Sequence, residues 1–597
     1  MPHAHATHRT MATLGRAAWT LGVLLLTLVA WRAHAQPAPE GNAHPAQRQV
    51  ADQTGGHTHP FGEGEARAHD PAELEAFASR VDLSALRAVP AFHNGRVKVL
   101  DTLAREAVRS ITGRARHVDF VSVEGRDKPR KVSFDPLYTL LDMTINPGSY
   151  TERPLIFVNY LPLREAYLER AFPDDPATRE RWKRLTRISP RTAFEHARAI
   201  ADAHADSSAY LHAIGEVEAS LDLFAFGGSN FLLIAPASPD RPWLHISTLD
   251  ESSPARRAAV RLGDAWRAHD AGGVNQAVTE LASELQSLAP GAYPAGRLEL
   301  AYNRLNAFEW GYWVYFLSLL TLILGFGTSR RGLMGAGVAL LAAAIALHTT
   351  GFVMRCLIAE RFAIQNQFES MTGLSLFAAV VGAGIMIARR QWLFGAAAAA
   401  TGFLALIVAT QTGIPGRNVA REAAILNTSV LLKYHVTTVL VSYGLITLGF
   451  VASVFYLAVH YLAARAPATG VVAAAALNEG DAGAASPGAV PGRARLLADL
   501  DTAQITVLQL AFWTLGVGIL LGAWWADHSW GRWWAFDPKE TWALITWIVY
   551  LIVIHLRFTS GHNRALTTAW LSLVGFAVML FTYFGVNLLL PGLHAYA

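Results

Sequence analysis

The sequence predicts an all-α polytopic membrane protein with about eight transmembrane helices, preceded by a mostly α water-soluble domain. Three observations support this fold class. The chain of 597 residues is 52% hydrophobic and only 16% charged. Residues 301–597 contain just 28 of its 96 charged side chains. Eight apolar stretches in that half each approach the roughly 20 residues that a helix needs to cross hydrocarbon. This composition excludes a disordered chain and argues against an ordinary soluble enzyme.

Charge and cysteine usage narrow the function classes further. The net charge is +4, but the first 300 residues contribute −2 and the remainder +6, so no nucleic-acid partner is indicated. Cys356 is the only cysteine in the sequence. A single cysteine excludes an internal disulfide, a CxxC pair, a cysteine-rich zinc site and a CxxCH haem-attachment motif. The chain is therefore not itself a c-type cytochrome.

The N-terminus is typical of a targeting segment. Residues 1–35 combine Arg9 and Arg16 with an uncharged run and a small-residue Ala-His-Ala site, which predicts a cleaved signal peptide. An uncleaved N-terminal anchor is the alternative. Residues 36–70, rich in Ala, Pro, Gly, Gln and His, predict a flexible leader. Under either interpretation the domain that follows is exported from the cytoplasm.

Residues 71–300 predict the water-soluble domain. Helical periodicity is visible in 72–86, in 100–111 and between 178 and 224, and residues 155–160 are strand-like. The sequence of this region contains no Walker loop and no GxGxxG, GxSxG or HExxH motif. We therefore assign it no catalytic chemistry.

The apolar half, residues 310–597, predicts eight spans of alternating direction. Nine arginines fall in the loops opposite the N-terminal domain, and the positive-inside rule makes that side cytoplasmic. Residues 466–500, rich in Ala, Gly and Pro, predict a cytoplasmic linker. The predicted spans are 310–327, 333–354, 371–388, 392–410, 436–461, 503–525, 541–557 and 567–590.

Residues 524–547 carry the strongest functional signal, because this predicted loop holds seven of the 17 tryptophans. An aromatic belt at the membrane interface explains one or two tryptophans per helix end, but not seven. An outward-facing aromatic platform suits a large, planar, apolar ligand whose carboxylates would meet Arg532 and Lys539. Asp537 and Glu540 are either general acids or, as we favour, caps of the following helix. The candidate platform residues are Trp525, Trp530, Trp533, Trp534, Phe536 and Trp542.

Topology places two histidines on the same face as this loop. His435 lies at the outer start of the fifth span, and His594 follows the eighth. Two neutral imidazoles on one face are what a six-coordinate haem iron needs, although either histidine alone fits an interfacial position better. His555 lies inside the seventh span, where an ionisable group is costly and usually functional; an interhelical hydrogen bond is the alternative. Its partner ligand is open between His348 and His460.

Three residues near the second and third spans have less specific expectations. Cys356, near the outer end of the second span, is expected to act as a small apolar residue. Asn366 and Glu369 are expected in an outside loop. They either shape the platform or are simply solvated.

Several motifs together resemble a known family. The run Trp-Gly-Arg-Trp-Trp-Ala-Phe-Asp-Pro-Lys-Glu-Thr-Trp at 530–542 resembles the tryptophan-rich WWD signature of haem-handling cytochrome c assembly proteins. Its form is most similar to the CcsA/ResC family of the system II haem lyase. Family members often have tryptophan before the aspartate, whereas this chain has Phe536, which keeps an aromatic surface without the indole N–H. Further similar pieces are Lys433-Tyr434-His435 with Ser442-Tyr443, Tyr550 through Arg557, Gly585 through Asn587 with Gly592 through His594, and His348 through Ser370.

The resemblance covers residues 310–597 and implies delivery of haem to apocytochrome c outside the cytoplasm. It implies that His435 and His594 are external axial ligands of a haem b, bound non-covalently as cargo. It also implies that His555 ligates haem within the membrane, with His348 as a further candidate and with a CcsB/ResB-type partner protein able to supply the second intramembrane histidine. The implied location is the bacterial cytoplasmic (inner) membrane, with the N-terminal domain and the WWD loop on the periplasmic side. The implied partners are a CcsB/ResB-like membrane protein, apocytochrome c and the thiol-reducing proteins of the pathway.

We therefore expect a component of a holocytochrome c synthase, a haem lyase that presents haem for covalent attachment to CxxCH motifs. Two alternatives stay open. One is a WWD haem handler of system I, of the CcmC or CcmF type, against which the Asp-Pro-Lys-Glu-Thr-Trp run and the span count argue. The other is a cofactor-free multi-span transporter or scaffold whose tryptophan loop docks a partner. The few charges within the spans argue against a transporter.

Overall fold

The computed structural model describes residues 59–64, 71–121, 130–225, 227, 231–236, 241–328, 330–414, 416–420, 430–461, 492–559 and 563–590. These residues divide into two compact units, one ending at Arg304 and the other beginning at Leu305. The predicted signal peptide or anchor, most of the predicted leader and residues 466–491 of the predicted linker lie outside the described residues. His594 lies outside them as well.

The unit that ends at Arg304 corresponds to the predicted water-soluble domain, and we call it the water-soluble unit after that prediction. It is mostly helical with a little strand, which confirms the predicted secondary-structure class. Its helices are α1 Pro71–Ala78, α2 Leu100–Thr112, α3 Pro136–Ile145, α4 Leu161–Ala171, α5 Pro176–Leu185, α6 Pro190–Ala203, α7 Ser208–Ala225, α8 Pro254–Arg267, α9 Ala271–Leu288 and α10 Gly296–Leu305. Its strands are β1 Pro90–His93, β2 Arg96–Val99, β3 Val118–Val121, β4 Arg130–Ser133, β5 Ile156–Phe157 and β6 Arg187–Ile188. Each odd-numbered strand pairs with the next in an antiparallel two-stranded sheet.

Local sequence explains where several of these helices begin. Asp135, Asp175 and Ser189 each precede a proline and accept a backbone N–H of the first turn through their side chains. A short polar side chain at the N-cap satisfies an amide that has no partner inside the helix, and proline at the first helical position already has the required φ. These dipeptides therefore set the starts of α3, α5 and α6.

The core of the water-soluble unit contains a buried carboxylate. Asp142 of α3 accepts the indole N–H of Trp266 at 2.8 Å and the hydroxyl of Tyr150 at 2.5 Å. These bonds compensate the carboxylate for the loss of water. His117 lies nearby, with its ring centroid 5.9 Å from that of Tyr150. Burial lowers the pKa of His117 to about 4, so the imidazole is neutral at physiological pH.

The water-soluble unit departs from the sequence expectations in detail. The periodic stretch 178–224 is helical as predicted, and it contains parts of three helices separated by residues 186–189 and 204–207. The strand-like stretch 155–160 contains only β5, and α4 begins directly after it. The helix expected over 72–86 ends at Ala78.

The membrane unit contains eight helices long and apolar enough to cross a membrane, which confirms the predicted count for the described chain. The first candidate stretch, Gly296–Phe326, includes α10 and most of the next helix, with Asn306 at a φ of 45° between them. The eight helices are α11 Ala307–Thr328, α12 Arg331–Ala359, α13 Gln367–Arg389, α14 Trp392–Gln411, α15 Val430–Tyr461, α16 Gly492–Trp530, α17 Pro538–Thr559 and α18 Arg564–Leu580. A π-helical turn, Phe581–Gly585, and a short helix α19, Val586–Leu589, extend α18.

Glycines let these helices approach closely. α15 packs along α16, and a Cβ added to Gly449 of α15 would lie 2.7 Å from a methyl group of Leu508. Likewise, a Cβ added to Gly402 would lie 2.8 Å from the ring of Tyr315 where α14 packs on α11. Small residues of this kind are typical of helix contacts in lipid, where close van der Waals packing drives association.

Two predicted segment boundaries were wrong. Residues 492–500, expected in the cytoplasmic linker, form the first turns of α16. The tryptophan-rich loop is also much shorter than 524–547, since only residues 531–537 lie between α16 and α17. Tryptophan is compatible with helical backbone, so a dense run of tryptophans does not by itself predict a loop.

Candidate functional site

Residues 531–537, which we call the Trp turn, connect α16 to α17. Gly531 ends α16 with a φ of 68°, and its N–H donates to the carbonyl of Asp527 at 2.8 Å. Glycine adopts this left-handed conformation without a steric penalty, which makes it a common helix terminator. Asp537 then begins α17 by accepting the N–H of Lys539 at 3.2 Å. The sequence Asp537-Pro538 therefore sets one side of the turn, and Gly531 sets the other.

Glu540 closes the turn from within α17. One carboxylate oxygen, Oε2, accepts the N–H of Asp537 at 3.3 Å and the N–H of Ala535 at 2.9 Å. Together, Asp537 and Glu540 form a reciprocal capping arrangement at the start of the helix. The structure thus supports the capping role that the sequence favoured for both carboxylates.

The tryptophan-rich residues separate into a packed group and an exposed group. Trp525 is 1% exposed, and its ring centroid lies 4.8 Å from that of Trp530. By contrast, Trp533 is 56% exposed and Phe536 is 76% exposed. The indole of Trp534 meets the Phe536 ring edge to face, with centroids 6.4 Å apart. The accessible aromatic face of the turn is therefore formed by Trp533 and Phe536.

Three other predicted contact residues lie around this turn. Arg532 lies within it and is exposed, whereas Lys539 lies in the first turn of α17 and is partly buried. The ring of Trp542, one turn further along α17, has its centroid 4.4 Å from that of Phe581 in the π-helical turn. Trp542 thus joins α17 to the end of the eighth span.

His435 lies in the second turn of α15, beside α16. Its Nδ1 is 2.8 Å from the carbonyl oxygen of Gly518. Because a carbonyl only accepts, this contact assigns the proton to Nδ1 and the lone pair to Nε2. Histidines that bind metals usually donate their other ring N–H to a carbonyl or carboxylate in this way.

Gly522 provides the space for this imidazole. A Cβ added there would lie 2.5 Å from Cε1 of His435 and 2.8 Å from Nδ1. Gly522 precedes Trp525 by three residues, so the histidine lies alongside the last turns before the Trp turn. The structure therefore places His435 beside α16 near the tryptophan-rich segment.

His348 is fully buried and contacts groups on two neighbouring helices. Its Nδ1 lies 3.3 Å from the hydroxyl of Tyr315, and its Nε2 lies 3.0 Å from the carbonyl oxygen of Thr372. An iron ligand would have to give up one of these contacts. The arrangement favours a structural role, and the ligand role of His348 stays a prediction.

His555 faces outward from α17 rather than into the helix bundle. The residue is exposed, and its Nδ1 lies 3.3 Å from the carbonyl oxygen of Leu551. The side chains of Ile552, Leu556 and Phe558 around it are also exposed. An ionisable side chain on an apolar outer face of a membrane helix is a position for contact with another molecule.

A buried ion cluster is a feature that the sequence prediction missed. Glu369 is fully buried and lies in the first turn of α13, not in a solvated loop. Its carboxylate accepts from Arg355 at 3.1 Å and from Arg361 at 2.7 Å. Arg355 also donates to the carbonyls of Gly416 and Arg417, each at 2.7 Å. The cluster therefore ties α12 and α13 to the segment after α14. Its sequence signal was the placement of three charges beside apolar spans.

The π-helical turn was also missed. Thr582 contacts Thr546 of α17 at 2.7 Å between hydroxyl oxygens, and the Tyr583 hydroxyl bonds to Ser370 of α13. A π-turn inside a helix is often found at a functional site. Here it anchors the end of the eighth span to two other spans. Among the described residues, no cluster of three or more His, Cys, Asp or Glu forms a protein-only metal site.

These features define a polytopic helical membrane protein with an aromatic turn and a nearby histidine, and residues 308–594 match the family of cytochrome C assembly proteins. Over 104 residues the chain is 47% identical to the cytochrome c biogenesis protein CcsA of Atropa belladonna. It is 46% identical to CcsA of Lactuca sativa and 45% identical to CcsA of Arabidopsis thaliana over the same length. These stretches cover 17% of this chain and 31–33% of the relatives. The predicted resemblance to CcsA is confirmed, although the chain spans about a third of the length of the curated relatives it matches.

Proposed function

We propose that this protein binds haem at the outer face of a membrane and takes part in cytochrome c maturation as a component of a holocytochrome c synthase. The contact of His435 with Gly518 carries the proposal. It places the ring proton on Nδ1 and holds the ring in a fixed orientation, as in histidines that bind metals through Nε2. The match to cytochrome C assembly proteins and the CcsA names of the relatives support the same function and favour system II over the system I alternative.

In this proposal haem b is the cargo. His435 and His594 supply the axial ligands, and the accessible aromatic face of Trp533 and Phe536 contacts the macrocycle. Arg532 and Lys539 meet the propionates. An incoming apocytochrome CxxCH motif adds each thiol S–H across a haem vinyl group. Each addition forms one C–S and one C–H bond, so no atom leaves. The motif's histidine then replaces one protein ligand, and the protein's contribution is orientation and ligation.

We further propose that His555 ligates haem within the membrane together with a histidine from another protein. The exposed position of His555 on α17 supports this, because an outward-facing imidazole can meet a partner's ligand. A CcsB/ResB-like membrane protein is the proposed partner. Apocytochrome c and thiol-reducing proteins complete the proposed set.

The proposed location is the bacterial cytoplasmic membrane, with the N-terminal unit and the Trp turn on the periplasmic side. The signal-like N-terminus and the nine arginines in alternate loops support this orientation. In a Cys356→Ser variant, a cysteine introduced into the Trp turn and, separately, one at Arg330 between α11 and α12 would test it. We expect an impermeant thiol reagent to label the two introduced cysteines from opposite sides of the membrane.

The haem proposal is tested by the absorption spectrum of the purified full-length protein. We expect a Soret band with sharp reduced α and β bands, lost or much weakened in His435→Ala. A Gly522→Ala variant should also weaken or shift the band, because the added methyl group occupies the imidazole position. Gly384→Ala is the matched control, since nothing lies within 4 Å of a Cβ added there.

Two outcomes contradict the proposal in different ways. A band unchanged in both His435→Ala and Gly522→Ala would move the haem away from His435. Absence of a band in the wild-type protein, with and without the CcsB-like partner, would remove haem binding altogether.

A further inference from the structure

The backbone of the Trp turn is least relaxed at Phe536. Its φ is 56°, in the left-handed region that non-glycine residues rarely occupy. Among the described residues it is the only phenylalanine, tyrosine or tryptophan in that region. Its ring is also 76% exposed, so packing within the fold does not explain the conformation. Glycine would fit this backbone better and would remove no buried contact.

One side chain bonds to the backbone on both sides of Phe536. Oε2 of Glu540 accepts the N–H groups of Ala535 and Asp537, the two residues that flank Phe536. The backbone on both sides of the exposed Phe536 ring is therefore held by one carboxylate oxygen. Strained residues that persist because their surroundings hold them are often found at binding sites.

We propose that Glu540 is a positioning residue that holds the Phe536 ring outward as a contact for the flat face of the haem macrocycle. The inference rests on the proposed function and extends it by naming Glu540 as the residue that fixes the orientation of the aromatic face. Trp534 supports one edge of the Phe536 ring, while the opposite side stays open. A planar apolar ligand matches that open face, because offset stacking on an aromatic ring is favourable.

The experiment combines haem titration with thermal unfolding of the full-length protein. Phe536→Gly should unfold at the same or a higher temperature, because it relieves the left-handed backbone, yet bind haem about tenfold more weakly, the loss expected from about one lost ring contact. Glu540→Ala should weaken haem binding to a similar extent. Glu540→Gln should restore it, since an amide oxygen also accepts two N–H groups.

The decisive measurement is the double variant. If Glu540 acts through Phe536, then Glu540→Ala adds no further loss of haem affinity once Phe536→Gly is present. Arg390→Gly is the matched control, because Arg390 also has a positive φ, of 55°, and ends α13 away from the Trp turn. It should change stability alone.

Three results would overturn the assignment. Equal losses from Glu540→Ala with and without the Phe536 ring would make Glu540 a general structural residue. If Phe536→Gly keeps wild-type haem affinity but captures a CxxCH peptide less well, the Phe536 ring contacts the apocytochrome rather than haem. A wild-type protein without haem affinity would instead remove the proposed function itself, and the assignment with it.

Discussion

The water-soluble unit and the membrane unit satisfy their buried polar groups in different ways. In the water-soluble unit, ion pairs join separate elements. Lys98 of β2 contacts Glu106 of α2 at 2.6 Å, and Arg96 contacts Glu299 of α10 at 2.7 Å. In the membrane unit, hydroxyl groups mostly return to their own helix. Thr401, for example, donates to the carbonyl of Ala397 at 3.0 Å.

The difference follows from the surroundings of each unit. Water outside the first unit competes for charged groups, so its ion pairs lie partly buried at element junctions. Lipid offers no hydrogen bonds, and a helix that satisfies its hydroxyl groups internally avoids exposing them. Ion pairs also occur in the membrane unit, between Arg417 and Glu309 and between Arg557 and Asp501. The Arg355–Glu369–Arg361 cluster departs furthest from the pattern, since it buries three charges. The comparison can therefore be tested most strongly at that cluster.

Glu369→Gln should have the largest effect on stability. The substitution leaves two buried guanidinium groups without a countercharge, which we expect to lower the free energy of unfolding by about 3–5 kcal/mol. Reaction of buried Cys356 with a thiol reagent during heating would report unfolding of the membrane unit alone, because it is the single cysteine.

The matched control lies in the other unit. Glu75 and Arg130 form an exposed ion pair, and Glu75→Gln should leave the unfolding temperature of the water-soluble unit unchanged within error. A similar small effect for Glu369→Gln would show that burial in the membrane unit does not strengthen the cluster.

The pH dependence of the water-soluble unit should be the next largest effect. The pKa of His117 falls to about 4 because burial disfavours the charged ring, whereas an unfolded histidine titrates near 6.5. The unfolded chain therefore binds the proton first, and stability is lost as the pH falls from about 6.5 toward 4. The loss should reach on the order of 3 kcal/mol. Hydrogen exchange of α2 and α3 would measure it, and His117→Phe should flatten the profile. If the stability of His117→Phe falls with pH as that of the wild-type protein does, His117 is not the cause of the pH dependence.

Gly402→Ala should have the smallest effect of the three. The added methyl group would lie 2.8 Å from the Tyr315 ring, and overpacking of this kind costs about 1–3 kcal/mol. Gly335→Ala meets nothing within 4 Å and should be neutral or slightly stabilising. Thermal unfolding followed through Cys356 would compare them. Equal effects would mean that α11 and α14 adjust to the extra volume.

Hydrophobic length made the eight spans predictable, because a helix in lipid needs a long apolar run whatever its neighbours are. The ends were less predictable. α16 begins at Gly492, inside the stretch 466–500 whose Ala, Gly and Pro content indicated a linker. Short strands such as β1 and β2 carry too few residues for a clear alternating pattern.

The site was predictable only in part. The tryptophan density and the outer position of His435 were visible in the sequence, but its contact with Gly518 depends on the packing of α15 against α16. The burial of Trp525 likewise depends on which face of α16 is buried, whereas Trp533 lies beyond the helix in the Trp turn. Glu369 was misplaced because its two partners are 8 and 14 residues away and meet it only after α12 and α13 fold back.

The π-helical turn at Phe581–Gly585 has a consequence for the evolution of the C-terminus. Its i→i+5 hydrogen bonds enclose one residue more than the i→i+4 bonds of an α-helix. Deleting one residue there would let α18 continue as an α-helix, rotating everything beyond it by about 100°. The helix Val586–Leu589 is therefore sensitive to changes of chain length at this turn. In an alignment of relatives, a one-residue gap at this turn would therefore mark chains whose last helix is rotated by that angle.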